Sequence, residues 1–192
     1  MKYDVILAGV GGQGVLSVAA VIAESAITDG LTVRQSEVHG MAQRGGAVLA
    51  HLRISDKPIP SDLIGKGNAE MILSMEPLEA LRYLDYLKTG DGVLVTAENP
   101  FKNIPNYPDP RELMKKAAGV PGSVIIDAQT LARQAGSSRS VNMVMVGAAS
   151  GSLPIKSSTI ENTIQNFFFR KGKGVSDVNI KAFRLGREGR RS

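Results

Sequence analysis

Near its start the chain carries Gly9, Gly11, Gly12 and Gly14 around Gln13, a spacing that satisfies G-x-G-x-x-G directly after an apolar run. Glycines so placed let a strand turn tightly into a helix, and the first helical N–H groups have no partner inside the helix. Such an end, with its dipole, suits an anion such as a phosphate or pyrophosphate. A second polar segment, 36–46, holds His39, Arg44, Gly45 and Gly46. A guanidinium between glycines can grip a carboxylate or phosphate with two parallel bonds, and the glycines let backbone come close. The candidate binding residues are therefore Gly9, Gly11, Gly12, Gln13, Gly14, Arg44, Gly45 and Gly46. His39 is a further group able to bond a ligand or partner. No catalytic residue can be named.

The glycine spacing also admits a nicotinamide dinucleotide. That reading requires an acidic residue at the end of the second strand, about 20 residues on, to hold a ribose. Glu37 stands near that place, but it leads into the 39–46 segment, which would crowd the adenosine pocket. No acid–base pair for a hydride-transfer substrate follows later. Gly90-Asp91-Gly92 resembles half of a thiamine diphosphate motif, but the paired Asn that would complete it is missing near Ala117 and Ala118. Those three residues read better as a turn between elements. His39 and His51 have no Cys or His partner at metal spacing, so no metal site is expected.

The elements that must position these residues alternate between strand and helix. An apolar strand over 2–9 leads into a helix over 12–28. Strands are expected at 31–36, 47–54, 68–75, 91–96 and 123–127, with helices at 77–87, 111–118, 128–135 and 142–150. The four prolines within 99–110 make that stretch a loop. Ser158 to Glu161 reads as a capping box opening a helix to about 170, and a last helix covers 175–187. This alternation predicts one α/β domain, a Rossmann-like layered fold with a largely parallel sheet flanked by helices.

The totals narrow the class. At 192 residues with 43% hydrophobic content, one domain with its own core is expected. The chain has no cysteine, so it can supply no thiolate to a metal or iron–sulfur cluster. No apolar run approaches the roughly 18 residues of a spanning helix, and no secretory leader opens the chain. A cytoplasmic protein is expected, with no membrane partner. The net charge of +5 is concentrated late: 170–192 holds eight Lys or Arg against Asp177 and Glu188. Without aromatic stacking platforms beyond a few Phe, nucleic acid is not the expected partner. A solvated or partner-facing tail is.

Three segments together carry a family resemblance. They are the 9–14 turn, Ser36-Glu37-Val38-His39-Gly40-Met41-Ala42-Gln43-Arg44-Gly45-Gly46, and Asn142-Met143-Val144-Met145-Val146-Gly147. In this order they resemble the gamma-type subunit of the 2-oxoacid:ferredoxin oxidoreductases, over residues 2 to about 185. The wording of 39–46 is most similar to the indolepyruvate branch. The resemblance implies a gamma-type domain over 1–187, with 188–192 as a basic tail. It further implies a subunit of an arylpyruvate:ferredoxin oxidoreductase, which decarboxylates a 2-oxoacid to acyl-CoA and passes electrons to ferredoxin. Thiamine diphosphate and iron–sulfur clusters would sit on a large alpha subunit, and this chain alone would bind neither. Related small subunits lie near the coenzyme A path, so contact with coenzyme A is an expectation. Ferredoxin would be met indirectly, and the isolated chain is left free to pair with itself. The competing readings are a free-standing NAD(P)-dependent oxidoreductase and a non-enzymatic interaction domain.

Overall fold

The computed structural model describes residues 1–39 and 45–190. Six strands form one sheet: β1 (Lys2–Val10), β2 (Thr32–His39), β3 (Ala47–Ser55), β4 (Met71–Ser74), β5 (Val93–Ala97) and β6 (Val124–Ile126). The helices are α1 (Val15–Thr28), α2 (Pro77–Arg82), α3 (Pro110–Ala118), α4 (Ala128–Ala135), α5 (Val141–Ser150), α6 (Ser157–Phe169) and α7 (Lys173–Gly189). The spatial order is β2-β3-β1-β4-β5-β6. The pairs β1·β4, β4·β5 and β5·β6 are parallel, whereas β3 runs against both β1 and β2. The expected layered, mostly parallel sheet is thus present, with one reversed strand inside it.

Alternation along the strands divides the core between the two faces. Val5, Leu7, Met71 and Leu73 face a large cluster with α1 and α4–α7, while Ile6 and Ile72 face a smaller one with Ala80 of α2 and Ala117 of α3. The chain leaves β1 toward one face and β4 toward the other. A crevice therefore opens between their C-terminal ends, as doubly wound sheets require at a switch point.

The segment between β3 and β4 is strapped to the small face by two β3 side chains. Arg53 forks onto the buried Asp4 at 3.0 and 3.1 Å and donates to the carbonyls of Ser61 and Leu63. His51 is buried and its Nδ1 accepts the Ile64 N–H at 3.1 Å. Its ring also meets Tyr86 edge to face. This is a structural histidine. Burial, and then the Arg53 guanidinium, hold the imidazole below its ordinary 6.5, while Asp4 pulls the other way. The unfolded chain therefore takes up the proton first, so the contribution to stability is full above about pH 6.5 and falls below it. Urea midpoints at pH 7.5 and 5.5 should show this loss in the wild type and a smaller one in His51→Asn, whose amide oxygen still accepts. An equal loss in both would assign the acid sensitivity elsewhere.

Several local expectations are corrected by long-range contacts. β2 continues through Glu37 to His39, because 36–39 pair with 48–51 of β3. The helix expected over 77–87 stops at Arg82, followed by a 3₁₀ turn at Leu84–Tyr86. The capping box at 158–161 does not form: α6 begins at Ser157 without a side-chain cap of its own. Asp29, at the end of α1, instead accepts the Lys156 N–H at 2.8 Å and the Thr159 hydroxyl at 2.7 Å. Glu161 is taken by Arg184 of α7.

The basic segment is a packed helix for most of its length. α7 buries Ser176, Asn179, Ala182, Phe183 and Gly186, and runs two residues beyond the expected 187. Arg190 then donates to the Ala148 carbonyl and to the Ser152 hydroxyl, which tethers the end of α7 to the end of α5. Among the described residues no helix is long and apolar enough to cross a membrane.

Candidate functional site: the glycine turn at the β1/β4 crevice

The turn after β1 is built from backbone that only glycine adopts with ease. Gly12 has φ +100° and Gly14 φ +79°, both in the left-handed region. Gly9 is glycine for another reason. A Cβ there would stand 2.8 Å from the Val15 side chain and 3.1 Å from those of Gln13 and Met75. Gln13 stitches the crevice shut at its base. Its Oε1 accepts the Val10 N–H at 2.8 Å and its Nε2 reaches the Met75 carbonyl at 3.4 Å, joining the ends of β1 and β4.

Gly14 is the N-cap of α1 and carries no capping side chain, so the helix opens three residues later than its glycine-rich sequence suggests. The N–H groups of Val15, Leu16 and Ser17 belong to the first turn, where no carbonyl precedes to accept them. Nothing stands within 4 Å of where a Gly12 side chain would point. Beside this end lies a cavity of about 370 Å³, lined by Gly12, Gln13, Gly14, Met75, Ala97, Asn99, Gln129, Ser138, Arg139, Val141 and Asn142. Its wall is firm: Asn99 bonds Asp127 Oδ1 and the Gln129 N–H. Asp127 also caps α4 through the Thr130 N–H. Hydrogen bonds from Thr130 lead the causes that hold Asp127 below the usual carboxylate range. It serves structure, not proton transfer.

Of the residues singled out in the sequence, Gly9, Gly11, Gly12, Gln13 and Gly14 form the turn itself. Gly45 and Gly46 are brought against it. The Gly11 N–H donates to the Gly46 carbonyl at 2.8 Å, and the Gly45 N–H reaches the Gly11 carbonyl at 3.4 Å. Arg44, with 40–43 and the side chain of His39, lies outside the described residues. Arg139 was not legible as a site residue. It sits on the 3₁₀ turn Ser138–Ser140 and reaches the glycine turn only because α5 places it there. The serine-rich run 137–140 was the available signal, and it reads equally well as a plain connection.

Arg139 and Asn142 also line a second cavity of about 460 Å³, bounded by Ser17, Phe168, Lys171 and the start of α7. The two hollows meet at the helix N-terminus, with two cations and several amides and hydroxyls around them. Such an arrangement can hold an extended polyanion. Among the described residues that line it, there is no nucleophile–base pair. Among the described residues no group of three or more His, Asp or Glu is placed to hold a metal ion.

The dinucleotide reading fails on topology. In a nicotinamide-binding sheet the second strand lies beside the first and brings its acidic residue to the ribose. Here β3 is inserted between β1 and β2. Glu37 therefore sits on the edge strand, two strand spacings or about 9.5 Å from β1. The Gly90-Asp91-Gly92 segment is a turn, with Gly90 at φ +89° and the Gly92 N–H on the Lys88 carbonyl.

The chain is similar to known proteins over nearly its whole length. Residues 4–189 match the family described as pyruvate ferredoxin/flavodoxin oxidoreductase. The indolepyruvate oxidoreductase subunit IorB of Archaeoglobus fulgidus is 36% identical, over 97% of this chain and 94% of that protein. Pyruvate oxidoreductase subunit PORC of Thermotoga maritima superposes with a TM-score of 0.73 at 25% identity, covering 97% of this chain and 96% of that one. The 2-oxoglutarate:ferredoxin oxidoreductase of Magnetococcus marinus, solved with 2-oxoglutarate, coenzyme A and succinyl-CoA bound, shares the fold with a TM-score of 0.77 at 23% identity. This chain is covered to 99% and spans 31% of that longer chain. With that match over residues 4–189, and with a relative 36% identical over 97% of this chain, the chain belongs to the pyruvate ferredoxin/flavodoxin oxidoreductase family.

Proposed function

We propose that this chain is the small subunit of an indolepyruvate-type 2-oxoacid:ferredoxin oxidoreductase, in which its glycine turn seats coenzyme A for a larger catalytic partner. That it is a subunit of a 2-oxoacid:ferredoxin oxidoreductase rests on family membership and on relatives matched over nearly their whole length. The indolepyruvate assignment is supported by the 36% identity to IorB and by the wording of 39–46. One observation carries the coenzyme A seat: an uncapped helix N-terminus opens on a two-part cationic hollow at the β1/β4 crevice.

The residues fit the cofactor's diphosphate. Coenzyme A, when bound, supplies the thiol that accepts the acyl group. The first-turn N–H groups of α1 orient toward the phosphates, and Gly12 leaves the backbone open to close approach. Arg139 offsets part of the negative charge, and Arg44 is the second cation proposed to clamp it. The chain does not fit the other expected groups. It has no cysteine for a cluster, and Gly90-Asp91-Gly92 is committed to a turn. Thiamine diphosphate and the iron–sulfur clusters are assigned to the large alpha subunit, and ferredoxin is met through that partner, in the cytoplasm.

Co-expression with the large subunit tests this. The complex should reduce dye with indolepyruvate and coenzyme A, faster than with pyruvate or 2-oxoglutarate, whereas this chain alone should give no rate above background. Arg44→Ala should raise the apparent KM for coenzyme A or weaken co-purification. Turnover by the chain alone, or full activity of the large subunit without it, would overturn the assignment.

A further inference from the structure

Glu76 is fully buried at the point where β4 passes into α2. Its Oε2 caps α2 by accepting the Glu79 N–H at 2.8 Å. Capping alone does not call for glutamate, since Ser, Thr, Asp and Asn do it with shorter side chains. The second oxygen explains the choice. Oε1 accepts the Phe101 N–H at 3.3 Å and the Tyr107 hydroxyl, both from the proline-rich loop 99–110. A buried carboxylate is costly unless fully hydrogen-bonded, and three donors meet this one. Burial pushes the neighbouring Glu79 carboxyl up, against the lowering pull of Arg82.

The loop held in this way reaches back to the glycine turn. Between its two anchored residues lies Asn103, whose Nδ2 donates to the Gly45 carbonyl at 2.8 Å. Gly45 and Gly46 in turn pair with Gly11. The same strand end also holds Gln13, through the carbonyl of Met75. Met75 and Glu76, adjacent residues just after β4, thus brace the turn, Met75 directly through Gln13 and Glu76 through the loop.

We infer that Glu76 is a positioning residue for the glycine turn: by pinning Phe101 and Tyr107 it holds Asn103 on Gly45 and so braces Gly11, which pairs with Gly45 and Gly46 beside the anion seat. Its effect on coenzyme A rests on the function proposed above; its effect on the turn does not.

Amide hydrogen exchange on the complex reads the turn without any ligand. Tyr107→Phe and Asn103→Ala should each speed exchange at Gly11 and Gly45 at least ten-fold while β4 and β5 amides stay as in the wild type. Glu76→Asp should do the same, because the shorter carboxylate still caps α2 but no longer reaches the loop. Tyr107→Phe and Asn103→Ala combined should be no worse than either alone, as expected for groups in one chain of contacts. Unchanged exchange at Gly11 and Gly45, or strictly additive effects, would overturn the inference. The apparent KM for coenzyme A should rise several-fold in the same variants with kcat held within two-fold. Faster exchange at the turn with an unchanged KM would uphold the positioning role and remove coenzyme A from the seat.

Discussion

Gly186→Ala should collapse the packing of α7 on α5 and lower the melting temperature by about 10 °C. An ideal Cβ on Gly186 falls 2.0 Å from the Val144 carbonyl oxygen, and one on Gly147 falls 2.0 Å from that of Phe183. Each helix presents a glycine to the backbone of the other, so no side-chain rotation relieves either clash. Overpacking of a core costs about 1–3 kcal/mol when side chains can adjust. Here two backbones must part, which puts the loss at about 3 kcal/mol or more, a large share of the roughly 5–15 kcal/mol of a typical domain. At this chain length each kcal/mol shifts the melting point by about 2–4 °C. Gly147→Ala should behave alike. Gly174→Ala, in the first turn of α7 with nothing within 4 Å of its added methyl, should cost nothing. Differential scanning fluorimetry with urea titration separates these cases. A Gly186→Ala protein as stable as the wild type would mean that the helices do not cross this closely.

Arg139→Glu should raise the apparent KM of the complex for coenzyme A by ten-fold or more while kcat at saturation is retained. Arg139 is exposed on a short 3₁₀ turn, so the fold does not depend on it. Yet it lines both hollows beside the N-terminus of α1. A hydrogen bond to a charged group contributes about 1.5–3 kcal/mol, and every 1.4 kcal/mol is about ten-fold in affinity. Reversal removes that bond and adds repulsion. Rising salt screens exposed charges, so KM should increase with ionic strength in the wild type and change less in the variant. Lys116→Glu, in the last turn of α3 on the opposite face of the sheet, is the control and should leave KM unchanged. An Arg139→Glu complex with wild-type KM would remove this cation from the seat and leave Arg44 as the candidate clamp.

Residues adjacent in sequence determined much of the fold without help. The 2–14 strand and turn, the α4 span of 128–135 and the 99–110 loop, which ends one residue early because Pro110 opens α3, follow from alternation, glycine freedom and proline geometry, all of which act over a few residues. The alternating order of strands and helices gave the layered class for the same reason. Three glycine-containing motifs in order then carried the family resemblance.

Only the tertiary structure decided who stands beside whom. Nothing in the sequence announces that β3 inserts between β1 and β2, because strand order is set by pairings as distant as Lys2 with Ser55, and that insertion removed Glu37 from the turn. The 158–161 capping box lost to Asp29, which lies 127 residues from Lys156 but arrives with better geometry at the end of α1. Arg139 became a candidate site residue, Glu76 a proposed brace for the turn, and Gly147 and Gly186 a helix crossing through contacts of the same long-range kind. A side chain's local pattern fixes its conformation and face. Its chemical role depends on the partner that folding delivers, and here each of those partners comes from a distant element.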